Sequence, residues 1–374
     1  MAKSKDSNVI ASIVAEENDN YSNDNLFNIT SWGADISLRE LITSFSDGDI
    51  IKPELQRKYV WDKSEASRFI ESILLGLPVP SIFLATAEED RRLIVDGYQR
   101  INTVCDFYAG VWSKDGTSFR LTNNEKINIR WRNKLYSELS SEDQRRFRQY
   151  TIHAIIFEQK YPRNDDGLYQ IFERINTSGK TLNPQEIRNC VYQGKLNSLL
   201  FELNRYPKWR ELFGELNENS RMLDLEFILR FFALSQDSIL QSSSGVISLK
   251  RVLNEYMGSN RDVVDEVIET LKNDFIQCVD FIYDACGPEA FCNLKGDLSS
   301  IRKKFYPTVY DSIIIATSIA LKRGYQYSET LQEKRLDLLR DTSYRESITQ
   351  GTMRLEAIHN RINKALTYLY GMAL

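Results

Sequence analysis

The chain has 374 residues, 42% hydrophobic and 27% charged, a balance that supports a sizeable core and excludes global disorder. A formal net charge of −4 argues against a protein built only to grip nucleic acid, while leaving room for a local basic groove. Five scattered cysteines without a CxxC pair, and only two histidines, speak against structural zinc and fit a reducing compartment. No apolar run reaches the length of a secretory or membrane-spanning segment, so a cytoplasmic protein with no membrane partner is expected.

Residues 1–35, rich in Asn, Asp, Ser and Glu, read as a mobile arm, with the folded chain expected from about Ile36. Ser37 followed by Glu40 is a capping-box pattern that opens a short helix. Pro53 to Arg57 reads as extended. Ala66, Phe69, Ile70, Ile73 and Leu74 recur at helical spacing, and Gly76 and Pro78 end that helix. Ser81 to Ala85 and Leu93 to Val95 are strand candidates, the second running into Asp96-Gly97. Ile101, Val104, Cys105 and Tyr108 then line one helix face, and Gly110 stops it. Between Arg120 and Tyr150, eight Lys and Arg stand against four Asp and Glu, with Trp131 and Tyr136 interleaved. Tyr150 to Phe157 alternates as a strand that contains His153. Phe172 and Ile175 suggest a helix or turn broken by Ser178-Gly179. Asn183, Pro184 and Glu186 form a strong helix start, and the remainder reads almost entirely helical. The expected division is therefore an α/β domain at 36–190 and an all-α domain at 191–374.

The central chemical signal is Ile94-Val95-Asp96-Gly97-Tyr98-Gln99-Arg100. A strand ending in Gly before a helix start aims backbone N–H groups and the positive end of the helix dipole at one point. Gly97 lets a phosphate approach the backbone, and Arg100 offers a planar fork for its oxygens. Asp96 is a candidate metal ligand, or an orienter of Arg100 or water. An ordinary strand-turn-helix with a surface ion pair would carry the same short string.

Three further strings occur around it in order: Leu55-Gln56-Arg57-Lys58-Tyr59-Val60-Trp61, Leu75 to Ile82, and Phe172 to Leu182 followed by Gln185-Glu186-Ile187-Arg188. Together these four motifs resemble the N-terminal domain of GmrSD-type restriction systems, from about Leu38 to Arg188. The resemblance implies a core similar to the ParB/sulfiredoxin fold that binds nucleoside triphosphates and governs a DNA-cutting domain. On that basis Asp96 and Arg100 are the expected catalytic pair, with Asp96 toward Mg2+. Gln56, Arg57, Gly97, Tyr98, Gln99, Asn176 and Lys180 are expected to hold the nucleotide. Tyr98 stands where the family usually has Gln, and Tyr cannot reproduce an amide's paired donor and acceptor, so nucleotide binding is expected and hydrolysis left open.

The resemblance also implies a separate nuclease subunit as partner, because no nuclease is legible in this chain. His359-Asn360-Arg361 is similar to an HNH tail, but a second His region and metal ligands are not visible. A GxxxxGK[ST] loop is lacking, so the triphosphate site is not of that class. The basic stretch is usually a solvated face; read functionally, Arg130, Arg132, Arg145 and Arg146 would meet duplex DNA, with Trp131 or Tyr136 stacking. The expected function is a nucleotide-binding component of a restriction or antiphage defence system, an NTPase if Mg2+-dependent turnover holds. The alternative is a non-catalytic DNA-binding adaptor that uses the same pocket for a DNA phosphate or modified base.

Overall fold

The computed structural model describes residues 29–52, 61–87, 90–159, 166–175, 182–219, 221–242, 245–326 and 330–374. Backbone contacts divide these into two units. One lies within Asn23–Leu182 and takes in Asn189–Val191; the other holds Asn183–Arg188 and Tyr192–Leu374.

The first unit contains β1 (Ile29–Ser37), α1 (Leu38–Asp47), β2 (Ile50–Ile51), α2 (Lys63–Leu75), β3 (Ile82–Thr86) and β4 (Arg92–Asp96). It continues with α3 (Tyr98–Ala109), α4 (Ser141–Gln149), β5 (Thr151–Gln159) and α5 (Asp166–Ile175). The strands form one mixed sheet in the order β1-β5-β3-β4-β2. β5 pairs antiparallel with β1 and parallel with β3; β4 pairs antiparallel with β3 and parallel with β2. Period-two alternation decides which face is which. Ile36, Ile82, Leu84, Ile94, Ala154 and Ile156 enter a core built with Leu41, Ile70, Ile73, Val104, Phe107 and Phe147 from α1 to α4. On the opposite face Phe83 stacks on Phe157, and α5 packs against β4 with Tyr169 and Phe172 buried.

Local chemistry sets the ends of the helices. The Ser37 hydroxyl accepts from the Glu40 N–H at the start of α1, as its sequence implies. Asp62 and Glu65 close a reciprocal capping box on α2, and Gly76 ends that helix in the left-handed conformation. The sheet starts at Ile29, ahead of the start expected near Ile36. β1 is mostly polar and carries little apolar signal of its own; it is held by the full ladder to β5.

The second unit is mainly helical: α6 (Pro184–Val191, its first turns), α7 (Lys195–Asn204), α8 (Pro207–Phe213), α9 (Leu223–Leu234), α10 (Asp237–Leu240), α11 (Leu249–Ser259) and α12 (Asp265–Cys286). A hairpin of β6 (Cys292–Leu294) and β7 (Ile301–Phe305) follows, then α13 (Pro307–Lys322), α14 (Leu331–Arg340), α15 (Thr342–Thr349) and α16 (Leu355–Ala365). The hairpin departs from the all-helical expectation. Its strands are too short for an alternation to stand out. Asn183 and Glu186 form the reciprocal box at the start of α6 that the sequence implies. Among the described residues no helix is long and apolar enough to cross a membrane.

Candidate functional site

The turn from β4 into α3 concentrates the motif residues. Gly97 sits at φ 103°, a left-handed conformation that side-chain-bearing residues rarely adopt. A Cβ there would lie 2.6 Å from Ile82 Cγ2, so both backbone and space require glycine. Gly97 is the N-cap of α3 and provides no side-chain cap.

The ladder between β3 and β4 shifts here: Leu84 faces Ile94, but Phe83 faces Asp96, leaving Val95 as a surplus residue. Such a β-bulge re-aims side chains at the end of a strand. Strict alternation would put Asp96 on the side of buried Ile94; instead its carboxylate is 53% exposed. Arg100, one helical turn on, donates from Nη2 to Asp96 Oδ2 at 2.6 Å and to the Ser81 carbonyl at 3.0 Å. Its side chain is only 15% exposed, and its buried Nε has no hydrogen-bond partner among the described residues. A buried donor left unmade costs about 1–3 kcal/mol, so the guanidinium is positioned at a price and keeps donor capacity in reserve.

Gln99 and Tyr98 face the protein. Gln99 Oε1 accepts from the Trp61 N–H at 3.3 Å, tying the start of α3 to the residue that precedes α2. The Tyr98 ring packs on the core, and its hydroxyl donates to Asn102 Oδ1 at 3.4 Å. Asn102 Nδ2 in turn reaches Asp106 Oδ2 at 3.2 Å and Ser113 Oγ at 2.9 Å, and Ser113 donates to Asp106 from both N and Oγ. Burial, and then the Asp106 charge, pushes the Tyr98 phenol up. Burial also raises the Asp106 carboxyl, against the pull of the Ser113 and Asn102 hydrogen bonds. This relay and the Ser81 carbonyl escaped the sequence reading. Positions 98, 102 and 106 share one helix face, so the relay was findable; the Ser81 contact is not encoded in spacing.

Gln56, Arg57, Asn176 and Lys180 lie outside the described residues. Among the described residues, the Trp61 N–H bonds to Gln99, and the helix carrying Phe172 lies on the strand carrying Asp96.

The basic stretch is largely occupied with its own fold. Arg130 makes a two-point contact with Asp143, at 3.0 Å from Nε and 2.9 Å from Nη2. Arg132 Nε donates to the Ile127 carbonyl at 2.5 Å and Arg146 Nη1 to the Leu74 carbonyl at 3.2 Å. Arg145 is exposed. Trp131 and Tyr136 are core residues: the first donates to Asp143, and the second sits among Phe107, Tyr108 and Phe147. Their expected stacking on DNA bases is therefore corrected, because both rings are already buried.

His153 is half-exposed on the interior strand β5, neither buried nor at an edge, and pairs across the ladder with Asp35 at 2.8 Å. His359 Nε2 lies 2.8 Å from the Ile239 carbonyl. Among the described residues no group of three or more His, Cys, Asp or Glu is arranged to hold a metal ion.

The model of the GmrSD restriction endonuclease N-terminal domain family matches residues 38–193. No curated protein and no solved structure matches the chain. The match spans all four motifs and the whole β4–α3 turn, and the chain thus carries a GmrSD-type restriction-system N-terminal domain.

Proposed function

We propose that this domain binds a nucleoside triphosphate at the β4–α3 turn, on a ParB/sulfiredoxin-like core, and that binding or turnover gates a separate nuclease subunit in DNA restriction or antiphage defence in the cytoplasm. The supporting observation is the joint geometry of Asp96, Gly97 and Arg100: a helix start without a side-chain cap, a left-handed glycine packed on Ile82 that turns the strand into the helix, and a fixed guanidinium whose buried Nε has no partner among the described residues. In this reading the N–H groups of α3 and Arg100 take phosphate oxygens, and Arg100 neutralises charge that develops on phosphoryl transfer. Gln56, Arg57, Asn176 and Lys180 would complete the nucleotide's surroundings. Mg2+ would be shared between Asp96 and the nucleotide's own phosphates, the usual manner for this ion, and would supply further charge neutralisation. Tyr98 enters as a positioning residue, since its hydroxyl is engaged by Asn102.

The test is binding and phosphate release with each of the four triphosphates and Mg2+, beside Asp96→Ala and Arg100→Ala. Turnover that falls about 100-fold or more in both variants supports the enzyme. Binding of none of the four triphosphates overturns the reading. Salt-steep duplex binding with no response to nucleotide would instead favour the DNA adaptor, with Arg130, Arg132, Arg145 and Arg146 as its candidate contacts.

A further inference from the structure

The second unit contains a cavity of about 210 Å³ between the β6–β7 hairpin and α15. Its walls carry Lys295, Arg302 and Arg345, and no carboxylate side chain lines it. Among the described residues none of these three cations makes an ion pair or donates a side-chain hydrogen bond. That contrasts with the neighbouring Lys303, which pairs with Glu289 at 2.8 Å. Asp297, at the hairpin tip, accepts from Ser299 N and Oγ and its charge also meets Lys295, but it is not part of the lining, which leaves Arg302 and Arg345 as the cations without a carboxylate. Lys295 and Arg302 are exposed and Arg345 is half-buried, so solvent screens their mutual repulsion, and an anion held among the three would meet all of them at once.

The backbone is shaped to the same end. Arg302 lies opposite Asn293 in the ladder, which brings a guanidinium and an amide to one wall. Leu298 adopts φ 58° in the tight hairpin, a conformation costly for a branched side chain, and its side chain joins Leu294 and Ile348 as apolar lining. Tyr306 and Thr349 add hydroxyl-bearing side chains. The combination is polar and cationic on one part of the wall and apolar on the other.

We infer that this cavity is an anion site that takes a terminal phosphoryl group together with the sugar that carries it. The charge favours a phosphomonoester dianion over a singly charged diester. The volume falls below the roughly 300–1,000 Å³ of pockets for whole drug-sized ligands, so it suits a phosphorylated sugar and not an entire coenzyme. Two sources share that chemistry: a free mononucleotide and the phosphorylated end of a nucleic-acid strand. The site is independent of the nucleotide proposed at the β4–α3 turn.

Calorimetric titration of the full chain tests it, in an Arg100→Ala background so that binding at the β4–α3 turn is not counted. The probes are inorganic phosphate, a nucleoside 5′-monophosphate, and one single-stranded oligonucleotide with either a 5′-phosphate or a 5′-hydroxyl. Phosphate and monophosphate are expected to bind, and Arg302→Gln and Arg345→Gln each to weaken binding about tenfold or more with unchanged thermal melting, as loss of a charge-assisted contact entails. A preference for the 5′-phosphorylated oligonucleotide identifies a strand end as the source; monophosphate binding with neither oligonucleotide bound identifies a free nucleotide. Absence of phosphate and monophosphate binding at about 10 mM, binding unchanged in both variants, or equal binding of the two oligonucleotides overturns the proposal.

Discussion

At Gly97 two independent constraints meet, a left-handed backbone and a Cβ position already filled by Ile82. Gly97→Ala is therefore expected to destabilise the protein by about 1–3 kcal/mol from backbone strain alone, with the steric clash in addition. The urea midpoint measures it, and in a double-mutant cycle the loss from Gly97→Ala should be smaller in an Ile82→Ala background by the steric part, with the strain remaining. An unchanged midpoint would mean that the turn is not held as described. The importance of Gly97 was legible in the sequence, because a glycine between a strand and a helix has few other reasons to be there. The state of Arg100 was not. Its reading as an open phosphate fork came from one-dimensional proximity to Asp96 and Gly97, whereas its bond to the Ser81 carbonyl depends on β3 lying beside β4. Tyr98 tells the same story: its departure from the family pattern was visible at once, but its engagement with Asn102 appears only once α3 presents both on one face.

The element that runs from Arg120 into α4 shows what a charge run can conceal. Asp143 receives Arg130, the Trp131 indole and the Ser140 hydroxyl, and so binds the insertion to the start of α4. Burial opposes its charge, but the Ser140, Trp131 and Arg130 contacts together outweigh that and hold its carboxyl below the ordinary 3.8. A depressed carboxylate contributes stability that is present above its unfolded pKa and is lost as pH falls through the lower folded value. Asp143→Asn should thus cost about 1–3 kcal/mol at neutral pH, and its deficit relative to the parent should shrink as pH drops below about 4. Denaturant melts across that range check it; a deficit independent of pH would count against the charged role. Helix caps at Ser37 and Asn183 were readable because a cap acts within four residues. The internal pairing of the basic stretch was not, since its partners depend on how the loop folds back.

At the scale of the whole molecule, the helical unit keeps charges inside its core. Arg230 makes a two-point contact with Asp311, Glu226 lies 3.8 Å from Arg230 and 3.4 Å from Arg188, and Arg361 approaches Asp311 at 3.7 Å. Burial pushes the Arg361 guanidinium down to about 10, with Asp311 acting in the other direction. Removing one member of such a set strands the others without water. Asp311→Ala is expected to cost about 3–5 kcal/mol and Asp311→Asn less, because the amide keeps an acceptor for Arg230. Thermal melting of both variants checks the order, and an Ala variant as stable as the parent would exclude the network as a structural element. The helical character of this region was legible in the sequence, but nothing there marked Arg230, Asp311 or Arg361 as buried, since burial of an arginine is set by partners far along the chain.

The surplus Val95 also governs how the chain tolerates changes in length. Loss of Val95 would close the ladder and still leave Asp96 opposite Phe83, whereas loss of Ile94 would draw Leu93 or Val95 out of its face to fill the place opposite Leu84. A single excess amino acid thus lets the interior of this strand shorten at the bulge without a change of face.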